Sequence, residues 1–256
     1  MFSSRWIARL GDPTVVRSRV VGAIGAVMLG LLLFPGSGEV LAQDELTIPG
    51  DAELQQRHYG VQDLLKWTRR GQGYVDDFRG EALQIAEQEN SEGLILSSRE
   101  SFGDRIVVRY RAFILTPGTV LVTMLSASNR ADTRTLNIPV ENRGGAGFWV
   151  NRTSNYFFAF HNAAHMKKPF VVRFNRGDKT TISKAQDWHM DTGRWHTVEV
   201  GRWGDRVWLK IDGNLLFRGT DQDFSSGGHV VLRTRGTGLQ QANYMVSDLR
   251  ILTPLE

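Results

Sequence analysis

The residues best suited to hold a polar ligand lie in the middle of the chain. Trp149, Tyr156, His161, Asn162, His165 and Arg173 form a polar and aromatic set, with Arg109 and Arg111 on a separate stretch. Organic ligands are held by stacking on aromatic rings and by hydrogen bonds to a few convergent polar groups, and this set supplies both. Strand alternation over residues 156–161 puts Tyr156, Phe158 and Phe160 on one face, and Phe157, Ala159 and His161 on the other. Arg109 and Arg111 share a face; with Arg173 beside them they would favour an anionic group such as a uronate or a sulfate ester. The ordinary alternative stands beside this for every residue: strand aromatics form core, and arginines on a sheet face are solvated charge.

Catalysis asks for more than binding. Glycoside hydrolysis with retention needs two carboxyl groups about 5–5.5 Å apart. Residues 147–150, 156–161 and 170–175 contain no Asp or Glu, which leaves Glu141, Asp187 and Asp191 in predicted loops. A uronate lyase needs a charge-neutralising group and a base. His161 with Tyr156 or Tyr110, and an arginine, are the right types, but positions 156 and 161 point opposite ways on one strand. His161 and His165 are four apart across a predicted loop, a weak metal pair. There is no P-loop, no G-x-G-x-x-G after a strand and no H-E-x-x-H. The absence of cysteine excludes disulfide scaffolds, cysteine-ligated zinc and iron–sulfur sites, and thiol catalysis.

The elements that must carry these residues are mostly strands. The 256 residues are 41% hydrophobic and 23% charged, too apolar for a disordered chain. Residues 104–115 alternate Arg105, Val107, Arg109 and Arg111 against Ile106, Val108, Tyr110, Ala112 and Ile114. Strands are also predicted over 119–125, 147–150, 156–161, 170–175, 195–200, 206–212, 215–217, 229–235 and 243–252, with Asp212-Gly213 a hairpin signal. One helix is predicted over 51–70, where Leu54, His58, Val61, Leu64, Leu65 and Trp67 recur at roughly helical spacing before Gly71-Gln72-Gly73. The fold class is therefore all-β, an antiparallel sandwich with a short N-terminal helix.

Residues 1–42 read as a secretory signal. Arg5, Arg9, Arg17 and Arg19 precede an uncharged run at 20–34, shorter than the roughly 20 residues of a bilayer span. Pro35 and Gly36 break the run, and Val40-Leu41-Ala42 offers a processing site. An uncleaved anchor is the alternative. Cleavage would place the protein outside the cytoplasm, secreted or periplasmic, with no stable membrane span. The net charge is +4, but residues 1–42 hold four arginines and two acids, so the remainder carries +2 and gives no case for nucleic acid.

Three stretches carry a family resemblance. Residues 74–78 (YVDDF) resemble the opening strand of concanavalin A-like jelly-roll domains. Residues 195–200 (WHTVEV) with 206–213 (RVWLKIDG) resemble their W-H-x-V-x-V and V-x-L-x-I-D-G hairpin, and 231–234 with 244–251 (YMVSDLRI) their closing pair. The middle of the chain is most similar to the exported bacterial set, the YesU-type and 3-keto-disaccharide hydrolase-like domains. The residues themselves give 1–42 as signal and 43–73 as polar tail and short helix, and the resemblance implies 74–256 as the sandwich. It implies a ligand on the concave sheet face, held by Arg109, Arg111, Trp149, Tyr156, His161 and Arg173. The partner would be an oligo- or polysaccharide, anionic if the arginines converge. Binding, glycoside hydrolysis or lyase action, and protein interaction of the laminin-G kind, all remain open, although the E-x-D-x-x-E of family 16 hydrolases is missing. No cofactor is required, but the resemblance implies a structural calcium ion between the opening and closing strands, with Asp76, Asp77 and Asp248 as ligands. An ordinary strand-entry turn is the alternative for that pair of aspartates.

Overall fold

The computed structural model describes residues 48, 52–162, 168–185, 188, 190–223, 225–237 and 240–255. The signal region, His165 and Asp187 lie outside them. From the N-terminus come β1 (Leu54–Tyr59), α1 (Val61–Leu64), β2 (Thr68–Gly71), β3 (Gly73–Phe78), β4 (Ala82–Glu87) and β5 (Leu94–Phe102). Then follow β6 (Arg105–Ile114), β7 (Val120–Ser128), α2 (Ala146–Asn151), β8 (Ser154–Phe160), β9 (Phe170–Asn175) and β10 (Asp178–Lys184). The chain continues through β11 (Trp195–Trp203), β12 (Arg206–Ile211), β13 (Asn214–Thr220), β14 (Gly228–Arg235) and β15 (Asn243–Pro254). Among the described residues no helix is long and apolar enough to cross a membrane.

All strands pair antiparallel, in two sheets. Sheet A runs β13-β12-β11-β6-β15-β4-β3, with β1 also on β15; sheet B runs β10-β9-β8-β7-β14-β5-β2. The alternation read from residues 104–115 holds: Ile106, Val108, Tyr110, Ala112 and Ile114 face the core between the sheets. There they meet Leu121, Leu125, Tyr156, Phe158 and Phe160 of sheet B. The Asp212-Gly213 hairpin forms with φ of 52° and 78°, the left-handed pair that such a turn requires.

Two predicted elements take another form, and β4, β5 and β10 lie where no strand range was predicted. The helix predicted over 51–70 is a single turn, α1, between two strands. Leu54–Tyr59 instead adds to sheet A, Leu54 opposite Pro254 and Tyr59 opposite Leu249. The apolar spacing was real, since Tyr59, Val61, Leu64 and Trp67 all enter the core, but Gly60 breaks the chain's direction between them. The sandwich thus begins at β1. Residues 147–150, expected as a strand, belong to α2. A short run with no polar position has no period to read. The helix ends where Thr153 Oγ1 and Asn155 Nδ2 donate to the Trp149 carbonyl, at 2.8 and 2.9 Å.

The central strands of sheet B, β7 and β8, are buried on both faces. The outer face of the sheet, Val120, Val122 and Met124 of β7 with Phe157, Val172, Phe174 and Val231, is roofed by Ile138 and Trp149, with Leu136, Phe148 and Val150 against them. Arg233 of β14, 4% exposed, ties the roof down by donating to the carbonyls of Gly144 (2.9 Å) and Glu92 (3.1 Å). Burial pushes its pKa down to about 10, helped by Arg235 and opposed by Glu87.

Candidate functional site on the outer face of sheet A

The expected polar-aromatic set does not assemble. Tyr156 points into the core, 1% exposed, and Trp149 is fully buried in the roof of sheet B. His161 is 2% exposed, just past β8, with φ 44°; Asn162 beside it is equally buried. Arg173 also faces inward, its guanidinium paired with Asp221 (2.6 Å) and Asp223. Arg109 and Arg111 lie on the other sheet and on its outward side, so Arg173 cannot join them. The register explains the split: residues 156, 158 and 160 share the inner face with Arg173, while the outer face of β8 is closed by the chain's own apolar roof. The central strands β7, β8 and β14 carry no Asp or Glu. Of the other candidates, Tyr110 is a core residue with its hydroxyl 2.7 Å from Thr123 Oγ1, Asp191 pairs with Arg194 at 3.1 Å, and Glu141 is exposed.

Tyr156 and Arg173 do meet, inside the sandwich. Arg202 lies 4.8 Å over the Tyr156 ring, and Asp221 stands close to the same phenol. Burial pushes the Tyr156 phenol up to about 12; Arg202 pulls against that and Asp221 adds to it. This is a buried polar end to the core, not an open site.

On the outer face of sheet A, Ile48, Ala52 and Leu215 pack over Val107, Trp203, Trp208 and Leu252; what the fold leaves open is the part of the face beside that cluster. Register aligns His58 with Arg250, Arg250 with Arg109, Arg109 with Glu199, and Glu199 with Lys210, so one row crosses five strands. Glu199 anchors it. Arg109 Nε is 2.6 Å from Oε2, Trp208 Nε1 donates to Oε1 at 2.7 Å, and Lys210 Nζ is 3.8 Å from Oε1. Trp208 reaches this position because it lies flat across Gly201, where a Cβ would sit 2.1 Å from the indole. A carboxylate so fully engaged holds the row together; it is not free to act on a substrate. Asp248, in a bulge of β15 with φ 50°, pairs with Arg250 (2.9 Å) and His58 (3.2 Å).

Aromatic groups flank the row. Arg111 stacks over Trp195 at 4.8 Å, and Phe113 meets the same ring edge-on at 5.4 Å. Met245, Gln84 and Asp76 continue that line to edge strand β3, where Tyr74 and Phe78 are 45% and 42% exposed. Five basic side chains (His58, Arg109, Arg111, Lys210, Arg250) thus share a face with three acids, Asp76, Glu199 and Asp248. Arg109 and Arg111 were legible as a pair on one face. Glu199, Trp208 and Lys210 lay inside the W-H-x-V-x-V hairpin, which marked the fold but gave no hint of its neighbours.

The histidine of that motif has a structural role. His196 is buried, with Nδ1 2.8 Å from Asp212 Oδ2 and Nε2 3.0 Å from the Asp191 carbonyl. Burial works against the Asp212 charge, but the Thr197 amide, the His196 ring and Arg194 outweigh it and hold the carboxyl below its usual value. A carboxyl with a lowered folded-state pKa stabilises the fold above the ordinary value of 3.8, and that contribution is lost as pH falls through the folded value. Asp212→Asn should therefore unfold at lower urea than the parent near neutrality. The gap between the two midpoints should close as pH is lowered from about 6 to about 2. A constant gap would refute the ionic role.

The calcium ligands implied by the resemblance do not come together. β4 stands between β3 and β15, so Asp76 and Asp77 are two strand spacings, roughly 9.5 Å, from the strand of Asp248. One ion needs its ligands within about 2.6 Å. Asp77 is held instead by Gln62 and the Gly80 amide, at 2.8 and 2.5 Å. Among the described residues no group of three or more His, Asp or Glu side chains could hold a metal.

No protein-family model matches the chain, and no curated protein matches it. Solved structures do. A protein of unknown function with a galectin-like fold from Bacillus subtilis superposes with a TM-score of 0.63 at 10% identity, over 78% of this chain and 100% of that one. The kappa-carrageenase of Pseudoalteromonas carrageenovora, in complex with an oligotetrasaccharide of kappa-carrageenan, gives 0.53 at 11%, over 82% and 98%. A prokaryotic β-1,3-1,4-glucanase (lichenase) derived from a mouse hindgut metagenome gives 0.53 at 13%, over 78% and 100%. These likenesses are of fold: the chain is a β-sandwich of the galectin-like and concanavalin-like jelly-roll type.

Proposed function

We propose that this is an exported carbohydrate-binding β-sandwich, of the kind the YesU-type resemblance implies, that takes an oligo- or polysaccharide on the outer face of sheet A. The observation that carries the reading is the basic row across five strands beside the Arg111–Trp195 stack. It offers a saccharide an aromatic platform and a line of charged donors, and the surplus of basic groups favours an anionic glycan. The fold is shared with a kappa-carrageenase in complex with a carrageenan oligosaccharide and with a glucanase. Binding is favoured over hydrolysis because Glu199 and Asp248, two of the acids on this face, are each committed to basic neighbours. Export rests on the leader and its processing site.

Affinity electrophoresis against a panel of neutral and acidic polysaccharides tests this. An acidic glycan should retard the protein, and Trp195→Ala and Arg111→Ala should each weaken binding about tenfold. Retardation unaffected by either substitution, or by none of the panel, would remove the reading. New reducing ends or unsaturated products in the same mixtures would replace binding with turnover.

A further inference from the structure

Both sheets contribute to a cleft of about 310 Å³ at one end of the sandwich. Gln55 and Arg57 of β1, with Ile251 and Thr253 of β15, form one wall; the β5–β6 turn at Gly103 and Asp104 forms the other. Three arginines from three elements line it. They are Arg57, Arg105 at the start of β6, and Arg134 in the roof segment, against the single carboxylate of Asp104. Two of the three are held from outside the cleft. Arg57 pairs with Glu100, whose other oxygen accepts from the Tyr59 hydroxyl, and Glu100 lines the neighbouring opening rather than this one. Arg134 Nε donates to the Ser226 carbonyl at 2.8 Å. Its Nη2 is turned towards Gly103, 3.6 Å from where a Cβ on that glycine would lie. Arg105 has no ion-pair partner among the described residues.

Three arginines line one small space, and they are brought there by separate parts of the fold. We propose that the cleft is an oxyanion site: it takes one carboxylate or sulfate group, carried on a body no larger than a monosaccharide. Guanidinium forks match planar and tetrahedral oxyanions in geometry as well as charge. The volume is near the lower limit of small-ligand pockets. None of Arg109, Arg111 or Trp195 lines this cleft, so the proposal does not rest on the sheet A reading and can stand or fall without it.

The test is thermal unfolding of the full-length chain with galacturonate, sodium sulfate or galactose, at constant ionic strength. Galacturonate and sulfate should each raise the melting temperature saturably, and galactose should not. Arg105→Ala and Arg134→Ala should each weaken that response about tenfold, while Arg218→Ala, an exposed arginine on β13, leaves it unchanged. Arg105 and Arg134 are exposed, so both variants should keep the parent circular dichroism spectrum. Sulfate binding as tightly as galacturonate identifies a free oxyanion as the ligand; tighter galacturonate identifies a saccharide-borne one. The proposal fails if galactose acts as well as galacturonate, or if the two arginine variants respond like the parent.

Discussion

Trp149→Ala should lower the unfolding free energy by about 3–5 kcal/mol, the range for truncating a buried aromatic. Trp149 is fully buried and joins Ile138 in roofing ten buried strand residues of sheet B. Its removal leaves a cavity that α2 is too short to refill by repacking. Among the described residues the buried indole nitrogen has no hydrogen-bond partner, so the ring contributes through packing. Trp149→Phe should then cost far less, about 1–1.5 kcal/mol. Urea denaturation of the two variants measures the difference. The alanine variant should also bind a hydrophobic dye in its native state, because the apolar face of β7, β8 and β9 becomes reachable. Equal costs for the two substitutions would mean that the indole nitrogen does have a partner.

This roof also accounts for what the amino-acid sequence could and could not reveal. Strands with one face in the core and one in solvent, such as β6, declared themselves by alternation, to within a residue at each end. β8 has apolar residues on both faces because the centre of sheet B is covered on both, so its alternation separated Tyr156 from Phe157 without saying which side was wet. β1 and β10 are polar strands, LQQRHY and DKTTISK, joined to their sheets by backbone hydrogen bonds. With little apolar pattern in β1 or β10, neither could be read as a strand. For the candidate face the missing information is register. Arg109 and Glu199 are 90 residues apart, and their contact depends on how β6 sits against β11, which no local pattern encodes.

Arg202→Ala should be the other severely destabilising change, by about 3–5 kcal/mol. Arg202 is 3% exposed on the inner face of β11, and burial drives its pKa down, opposed by the neighbouring Tyr156, Asp104 and Asp221. Its guanidinium donates to Ser126 Oγ at 2.7 Å, to the Ser225 carbonyl at 3.0 Å and to the Gly204 carbonyl at 3.3 Å, while lying over the Tyr156 ring. One side chain thus joins both sheets to the segment between β13 and β14. Truncation strands those acceptors in the interior and takes a positive charge from beside buried Asp221. Arg173 keeps its own 2.6 Å contact with that carboxylate, which limits the loss to a local one. Lysine at 202 should not rescue stability, because a single ammonium cannot span three acceptors set around a planar fork. Methionine should recover part of the packing and none of the anchoring. Amide exchange separates the two contributions: residues 225–228 should exchange faster in Arg202→Met than in the parent even where the global stability is partly restored. Unchanged exchange there, with full stability in Arg202→Lys, would show that Arg202 acts through its charge alone.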